Sequence, residues 1–187
     1  MDWSDEKTIL KLKNGGVAVM PTDTLYGIVG SALGKDTVER IYKIRKRSPE
    51  KPCIILIANL DELEKFGIIP TFEQQKTLAR TVLASVEPIS FVLDCADESF
   101  EYLHRGAKTL AFRIPGNKSL QELLKKTGPL IAPSANTEAS APAKNIKEAR
   151  KYFGNLVDIY VDVGEITGKA SKVIRLHKNG SIDIIRY

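Results

Sequence analysis

The sequence has little of what several enzyme and binding classes require. It carries two cysteines and two histidines among 187 residues. Cys53 opens the apolar run 53–57 and Cys95 closes the run 91–95, places that suit buried, reduced thiols and no disulfide framework. His104 and His177 have no Cys or His at ligand spacing, which excludes the common structural zinc patterns, so no metal site is expected. There is no Walker A sequence and no dinucleotide glycine fingerprint, and Gly15-Gly16 precedes a strand pattern where a phosphate loop would follow one. No Gly-x-Ser-x-Gly elbow surrounds Ser134. No apolar run approaches the roughly 20 residues of a membrane span. The acidic, polar start around Asp2, Asp5 and Glu6 is unlike a secretory leader. A cytoplasmic protein without a membrane partner is the expectation. Aromatics, at 7%, are sparse for a surface that stacks single-stranded bases.

What is present describes an α/β enzyme. The length suits a single domain spanning 1–187 with a sizeable core. The net charge of +5 favours an anionic partner, provided that the charge is concentrated. Helical and extended patterns alternate. Ser4 is placed to cap a helix carrying Ile9 and Leu10, ended by Asn14-Gly15-Gly16. A strand over 17–20 leads into a loop over 21–30. Asp36 caps a second helix with Val38, Ile41, Tyr42 and Ile44 at helical spacing. Strands follow over 53–57, 89–93, 110–114, 130–132 and 159–163, and helices over 60–66, 72–83, 120–126 and 146–152. At the end, Asn179-Gly180 between extended runs signals a β-hairpin. Interleaved helices and a terminal hairpin predict a mixed parallel/antiparallel sheet flanked by helices.

The charge is concentrated. Lys43, Arg45, Lys46, Arg47 and Lys51 fall at and beyond the end of the second helix, opposed by Glu50 alone. Pro49 disfavours a helical Ser48 and marks the helix exit. Basic residues complement a helix C-terminus, but this many repel one another, and an anion site explains them better. Two strand exits end in small polar side chains: Pro21-Thr22-Asp23-Thr24-Leu25-Tyr26-Gly27 and Ala132-Pro133-Ser134-Ala135-Asn136. In α/β sheets ligands gather at such ends.

These segments, with Arg45-Lys46-Arg47-Ser48, Lys51-Pro52, Leu110-Ala111-Phe112-Arg113-Ile114-Pro115, Ser171 before Val173-Ile174, and Ile184-Ile185-Arg186, resemble the YrdC-like family of threonylcarbamoyl-AMP synthases in order and spacing. The resemblance implies a twisted mixed sheet around a basic cavity, in the single-domain form. It implies synthesis of threonylcarbamoyl-AMP and pyrophosphate from L-threonine, bicarbonate and ATP, with Mg2+ accompanying ATP. The product would pass to TsaD-type transfer machinery for N6-threonylcarbamoyladenosine modification of tRNA, and the chain itself would be a candidate for tRNA binding. By the same resemblance, Arg45, Arg47 and Lys51 are the catalytic cations. Arg47, Lys51, Thr109, Ser134, Asn136 and Arg186 match ATP contacts, and Thr24, Tyr26, Arg113 and Ser171 match the threonine side.

Some positions depart from the family pattern. Arg45 stands where a lysine is usual, Leu56 where some members have histidine, and Pro142 where some have serine. Residues 85–90 replace a Trp-Pro-Gly-Pro-Leu-Thr stretch. These departures keep open a divergent paralogue without the synthase activity, and the basic composition keeps open an RNA-binding module.

Overall fold

The computed structural model describes residues 5–187. Their nine strands are β1 (Ala18–Pro21), β2 (Tyr26–Ser31), β3 (Ile54–Leu56), β4 (Ile89–Asp94), β5 (Thr109–Arg113), β6 (Leu130–Ile131), β7 (Ile159–Tyr160), β8 (Lys172–Leu176) and β9 (Ile182–Arg186). They form one mixed sheet in the order β7-β1-β2-β6-β3-β5-β4-β8-β9. The helices are α1 (Glu6–Lys13), α2 (Lys35–Arg45), α3 (Phe72–Thr77), α4 (Glu101–His104), α5 (Lys118–Thr127) and α6 (Ile146–Phe153).

Side-chain alternation along the strands decides where the core and the cavity lie. Successive residues of a strand point to opposite faces. The register sets Ile131, Ile55, Phe112, Phe91 and Ile174 side by side on one face. All are fully buried, in one core with Val38 and Ile41 of α2, Leu103 of α4 and Phe153 of α6. The opposite face is only partly covered. Leu130 and Leu56 pack there against Leu12 of α1 and Leu120, Leu123 and Leu124 of α5. Those three α5 leucines follow the helical stripe spacing. The same face continues through Ile54, Ala111, Arg113 and Val173, where a cavity opens above the sheet.

Caps explain the helix boundaries. Asn117 accepts from the Leu120 amide at 3.1 Å and Asn145 from the Glu148 amide at 3.0 Å, starting α5 and α6. Ser4 lies outside the described residues, and Asp5 caps α1 by accepting from the Thr8 amide. Asp36 sits in the first turn of α2, and Gly34 holds the cap position without a side-chain bond.

The largest correction concerns residues 21–30. They are a hairpin where the sequence suggested a loop, with Pro21 opposite Tyr26 and Ala18 opposite Val29. Gly27 and Gly30 weaken the strand pattern in sequence, yet each answers close packing. A Cβ on Gly30 would lie 2.5 Å from a Thr37 methyl. The helical stretch 72–83 divides into α3 and a π-helical turn over Leu78–Leu83, and the short helices over 98–104 carry no clear sequence signal. The terminal hairpin forms as expected, with Gly180 at φ +83° in its turn. Because β8 runs parallel to β4 and antiparallel to β9, the sheet is mixed. Among the described residues no helix is long and apolar enough to cross a membrane.

Candidate functional site

The cavity has a volume of about 440 Å³. Its floor is the uncovered sheet face, and its walls are brought in from distant parts of the chain. The β1–β2 turn supplies Thr22 and Thr24, the exit of β6 Ser134, the exit of α2 Arg47, the segment before β8 Ser171, and the end of β9 Arg186. Backbone bonds fasten the first two walls together: Ile28 N donates to Pro133 O at 3.0 Å and Ala135 N to Tyr26 O at 2.8 Å. Gly27 crosses Ser134 at an isolated bridge.

Arg113 sits on the floor, 3% exposed. Its Nε and Nη2 donate to Asp23 Oδ1 at 3.1 and 2.9 Å, and Nη2 reaches Thr24 Oγ1 at 3.3 Å. Burial pushes its pKa down, Asp23 opposes that shift, and nearby Arg186 adds to it. The pairing holds the β1–β2 turn against β5 and leaves Thr24 facing the cavity. Thr22 Oγ1 completes the turn, 3.0 Å from Thr24 Oγ1 and donating to Leu25 O at 2.7 Å.

Arg186 donates through Nε and Nη2 to Ser171 O at 3.2 and 2.8 Å, and Ser171 Oγ meets Ser90 Oγ at 2.8 Å. Residues 161–171 thus run as a strap along one wall. Tyr26, fully buried, anchors it: its hydroxyl donates to Gly164 O at 2.9 Å and accepts from Val163 N at 3.0 Å. Tyr26→Phe should leave a strap amide without its partner. The expected loss is about 1–3 kcal/mol of stability in denaturant titration, with faster amide exchange in the strap, and unchanged exchange there would refute the anchoring role.

The basic segment divides by position. Val38, Ile41, Tyr42 and Arg45 share one buried stripe of α2, so Arg45 points inward and is 3% exposed. Its Nε donates to Asn136 O at 3.0 Å, and its Nη2 to Asn136 Oδ1 at 3.2 Å and Ser134 Oγ at 3.4 Å. Its Nη1 is buried without a partner. Burial, then repulsion from Arg47, pulls its pKa down to about 10. Arg45 stands behind the cavity wall and braces Ser134. Asn136 is occupied in the same network, its Oδ1 accepting from Ser134 Oγ at 2.6 Å and its Nδ2 donating to Thr137 O and Ser140 O. Lys46 then takes the left-handed conformation, φ 51°, and turns the chain. Arg47 emerges on the cavity, donating to Lys51 O and Pro52 O at 3.0 Å each. Lys51 is exposed and pairs with Glu138. Lys43 and Lys46 are exposed.

Of the other positions that the resemblance implied, Thr24, Tyr26, Arg113, Ser134, Ser171 and Arg186 line the cavity, while Lys51, Asn136 and Thr109 do not. Thr109 begins β5 opposite Asp94, in line with Ala111 and Arg113 on the cavity face. Leu56 is packed in the second core and Pro142 lines the cavity. Residues 85–89 border a neighbouring cavity that Asp23 also reaches. Sequence reasoning did not find Ser90, Gly168 or Glu138, because nothing local marks them. Among the described residues no group of three or more His, Cys, Asp or Glu is placed to hold a metal ion.

Comparison with known proteins gives a consistent picture. The Sua5–YciO–YrdC family model, described as telomere recombination, matches residues 11–187. A Coxiella burnetii protein named threonylcarbamoyl-AMP synthase is 29% identical over 79% of this chain and 78% of its own length. A Bacillus subtilis protein of the same name is 30% identical over 82% of this chain and 44% of its own length. The structure of P. abyssi Sua5 complexed with L-threonine superposes with a TM-score of 0.76 at 26% identity, covering 92% of this chain. This chain spans about half that protein, 52% of its length.

Proposed function

The chain belongs to the Sua5–YciO–YrdC family, and from that premise we propose that it is an L-threonylcarbamoyladenylate synthase. It joins L-threonine, bicarbonate and ATP into threonylcarbamoyl-AMP and releases pyrophosphate, as a nucleotidyltransferase of the cytoplasm. The product goes to TsaD-type machinery that modifies tRNA.

One arrangement carries this reading. A single cavity sets the Thr24–Arg113 pair and Ser171 together with the guanidinium groups of Arg47 and Arg186. A small zwitterion and a polyanion can be held there at once. In the reaction the threonine amine adds to CO2 with loss of a proton to solvent, or to bicarbonate with loss of water, and forms a carbamate. A carbamate oxygen then attacks the α-phosphorus of ATP and the pyrophosphate oxygen leaves. Such a transfer needs alignment and charge stabilisation more than a protein nucleophile.

The residues are suited to that task. Arg47 and Arg186 present fixed positive charge to phosphate oxygens, a planar fork that can bind two at a time. Arg113, clamped by Asp23, cannot swing away when threonine leaves, so the amino-acid end is preorganised. Ser134, braced by Arg45, lies on the nucleotide side. Mg2+ would accompany the triphosphate and would offset charge on the leaving group, beside Arg47 and Arg186.

The decisive experiment is mass spectrometry of products after incubation with ATP, Mg2+, bicarbonate and each amino acid in turn. A threonine-dependent adenylate of the threonylcarbamoyl mass is expected. Salt-sensitive tRNA binding with no such product would favour an RNA-binding module instead. Arg47→Ala should cut threonine-dependent pyrophosphate release by roughly a hundredfold or more, measured in a coupled phosphate assay. Unaltered turnover would remove Arg47 from the phosphate-binding set.

A further inference from the structure

Glu138 occupies part of the surface expected to receive phosphate. Its carboxylate accepts from the backbone amide of Ser48 and from the ammonium of Lys51. Both donors belong to the turn that follows α2, beside Arg47. The carboxyl is held below its ordinary pKa first by the Lys51 hydrogen bond, then by the Ser48 amide, with Lys51 and Arg47 charge adding. A backbone amide and an ammonium bonded to one carboxylate, with the charge of Arg47 nearby, make a setting that also suits a phosphate oxygen.

The backbone keeps Glu138 at this position. Its own amide donates to Arg45 O at 2.9 Å. Ala139 follows at φ +66°, an uncommon conformation for a residue with a Cβ, and Ser140 N closes the turn on Thr137 O at 3.1 Å. The side chain is less constrained than its backbone, being 27% exposed and opposite a lysine that is 60% exposed. It can therefore leave its donors without unfolding the turn.

We infer that Glu138 is an internal anion that stands in for a phosphate group on Ser48 and Lys51, and must be displaced when a triphosphate binds. This rests on the proposal that Arg47 holds the triphosphate, and extends it to Ser48 and Lys51, which lie in the same turn outside the cavity lining. Glu138 then sets nucleotide affinity: the empty site is neutralised, and the ligand exchanges one anion for another. The exchange weakens binding and eases release of the pyrophosphate product. Glu50, whose carboxylate accepts from Ser48 Oγ, lies in the same turn but makes no ion pair with Lys51, which pairs with Glu138, and so serves as the comparison.

The test is calorimetric titration of the full chain with MgATP and, separately, with inorganic tripolyphosphate. Glu138→Gln should bind both roughly fivefold more tightly, and Glu50→Gln should change binding less. In the Lys51→Met background the gain from Glu138→Gln should vanish. In turnover, Glu138→Gln should lower KM for ATP more than it changes kcat. Should Glu138→Gln fold poorly, Glu138→Asp, too short to span both donors, should give a smaller gain of the same sign. Unchanged or weaker binding in both variants would overturn the inference, as would equal shifts from Glu50→Gln and Glu138→Gln. The synthase reading fails separately: tighter triphosphate binding without any threonine-dependent adenylate leaves the Glu138 exchange standing, whereas adenylate synthesis with unaltered affinity removes only the exchange.

Discussion

Replacing Arg113 with methionine should cost about 3–5 kcal/mol of unfolding free energy and abolish threonine-dependent adenylate formation. The reason is burial on both sides of the pair. The Arg113 side chain is 4% exposed and that of Asp23 7%. Without the guanidinium, Asp23 keeps a desolvated carboxylate whose nearest positive partner has gone. Thr24 also loses its donor, so the turn that shapes the amino-acid end relaxes. Urea titration measures the stability term, and the double replacement Asp23→Leu with Arg113→Met separates it from function. The double variant should recover most of the lost stability, since no charge is then left buried, while remaining inactive with threonine. A single variant within about 1 kcal/mol of the parent chain would mean that the pair is solvated in practice.

Gly168→Ala should raise KM for threonine by up to roughly a hundredfold while leaving ATP affinity close to its starting value. A Cβ at this position would lie 1.8 Å from the Thr24 carbonyl oxygen and 3.0 Å from its carbonyl carbon. Neither atom can yield without moving the β1–β2 turn, so the strap must lift. Ala170 and Ser171, which follow in the strap, are part of the cavity wall. Lifting them enlarges the amino-acid end and lengthens its contacts, whereas Arg47 and Ser134 are held by other elements. Steady-state kinetics in threonine, paired with ATP titration, reads the split. A threonine KM within twofold of the parent value would show that the strap does not confine that substrate.

The departures from the family pattern take on different weights once placed in the fold. Leu56 is fully buried among Leu130 and the α5 leucines and does not line the cavity. Pro142 lines the wall and offers no hydroxyl. Arg45 keeps the positive charge of the usual lysine, but its three donated bonds require a planar fork that a lysine lacks. In this chain Arg45 couples the end of α2 to Asn136 and Ser134.

Much of the architecture was legible because it is local. The α5 and α6 stripes, their asparagine caps and the Asn-Gly turn of the terminal hairpin each depend on residues within a few positions of one another. The hairpin over 18–31 was not legible, because the glycines that weaken β2 as a strand are there for the approach of Thr37 and the β6 exit, contacts that the local pattern does not contain. The two cavity ends were visible as polar strand exits. Their shared enclosure was not, since Asp23 and Arg113 are 90 residues apart, Tyr26 and Gly164 138, and Ser48 and Glu138 90.

The basic segment gives the plainest division of this kind. By itself the sequence determined that positive charge gathers where α2 ends. Only the tertiary structure decided which charges meet the cavity. Lys46 reverses the chain, so Arg45 faces Asn136 and Ser134, Arg47 faces the open sheet, and Lys51 meets Glu138. Charge density is a property of composition along a few residues. The direction in which each charge points is set by packing between segments that the chain keeps far apart.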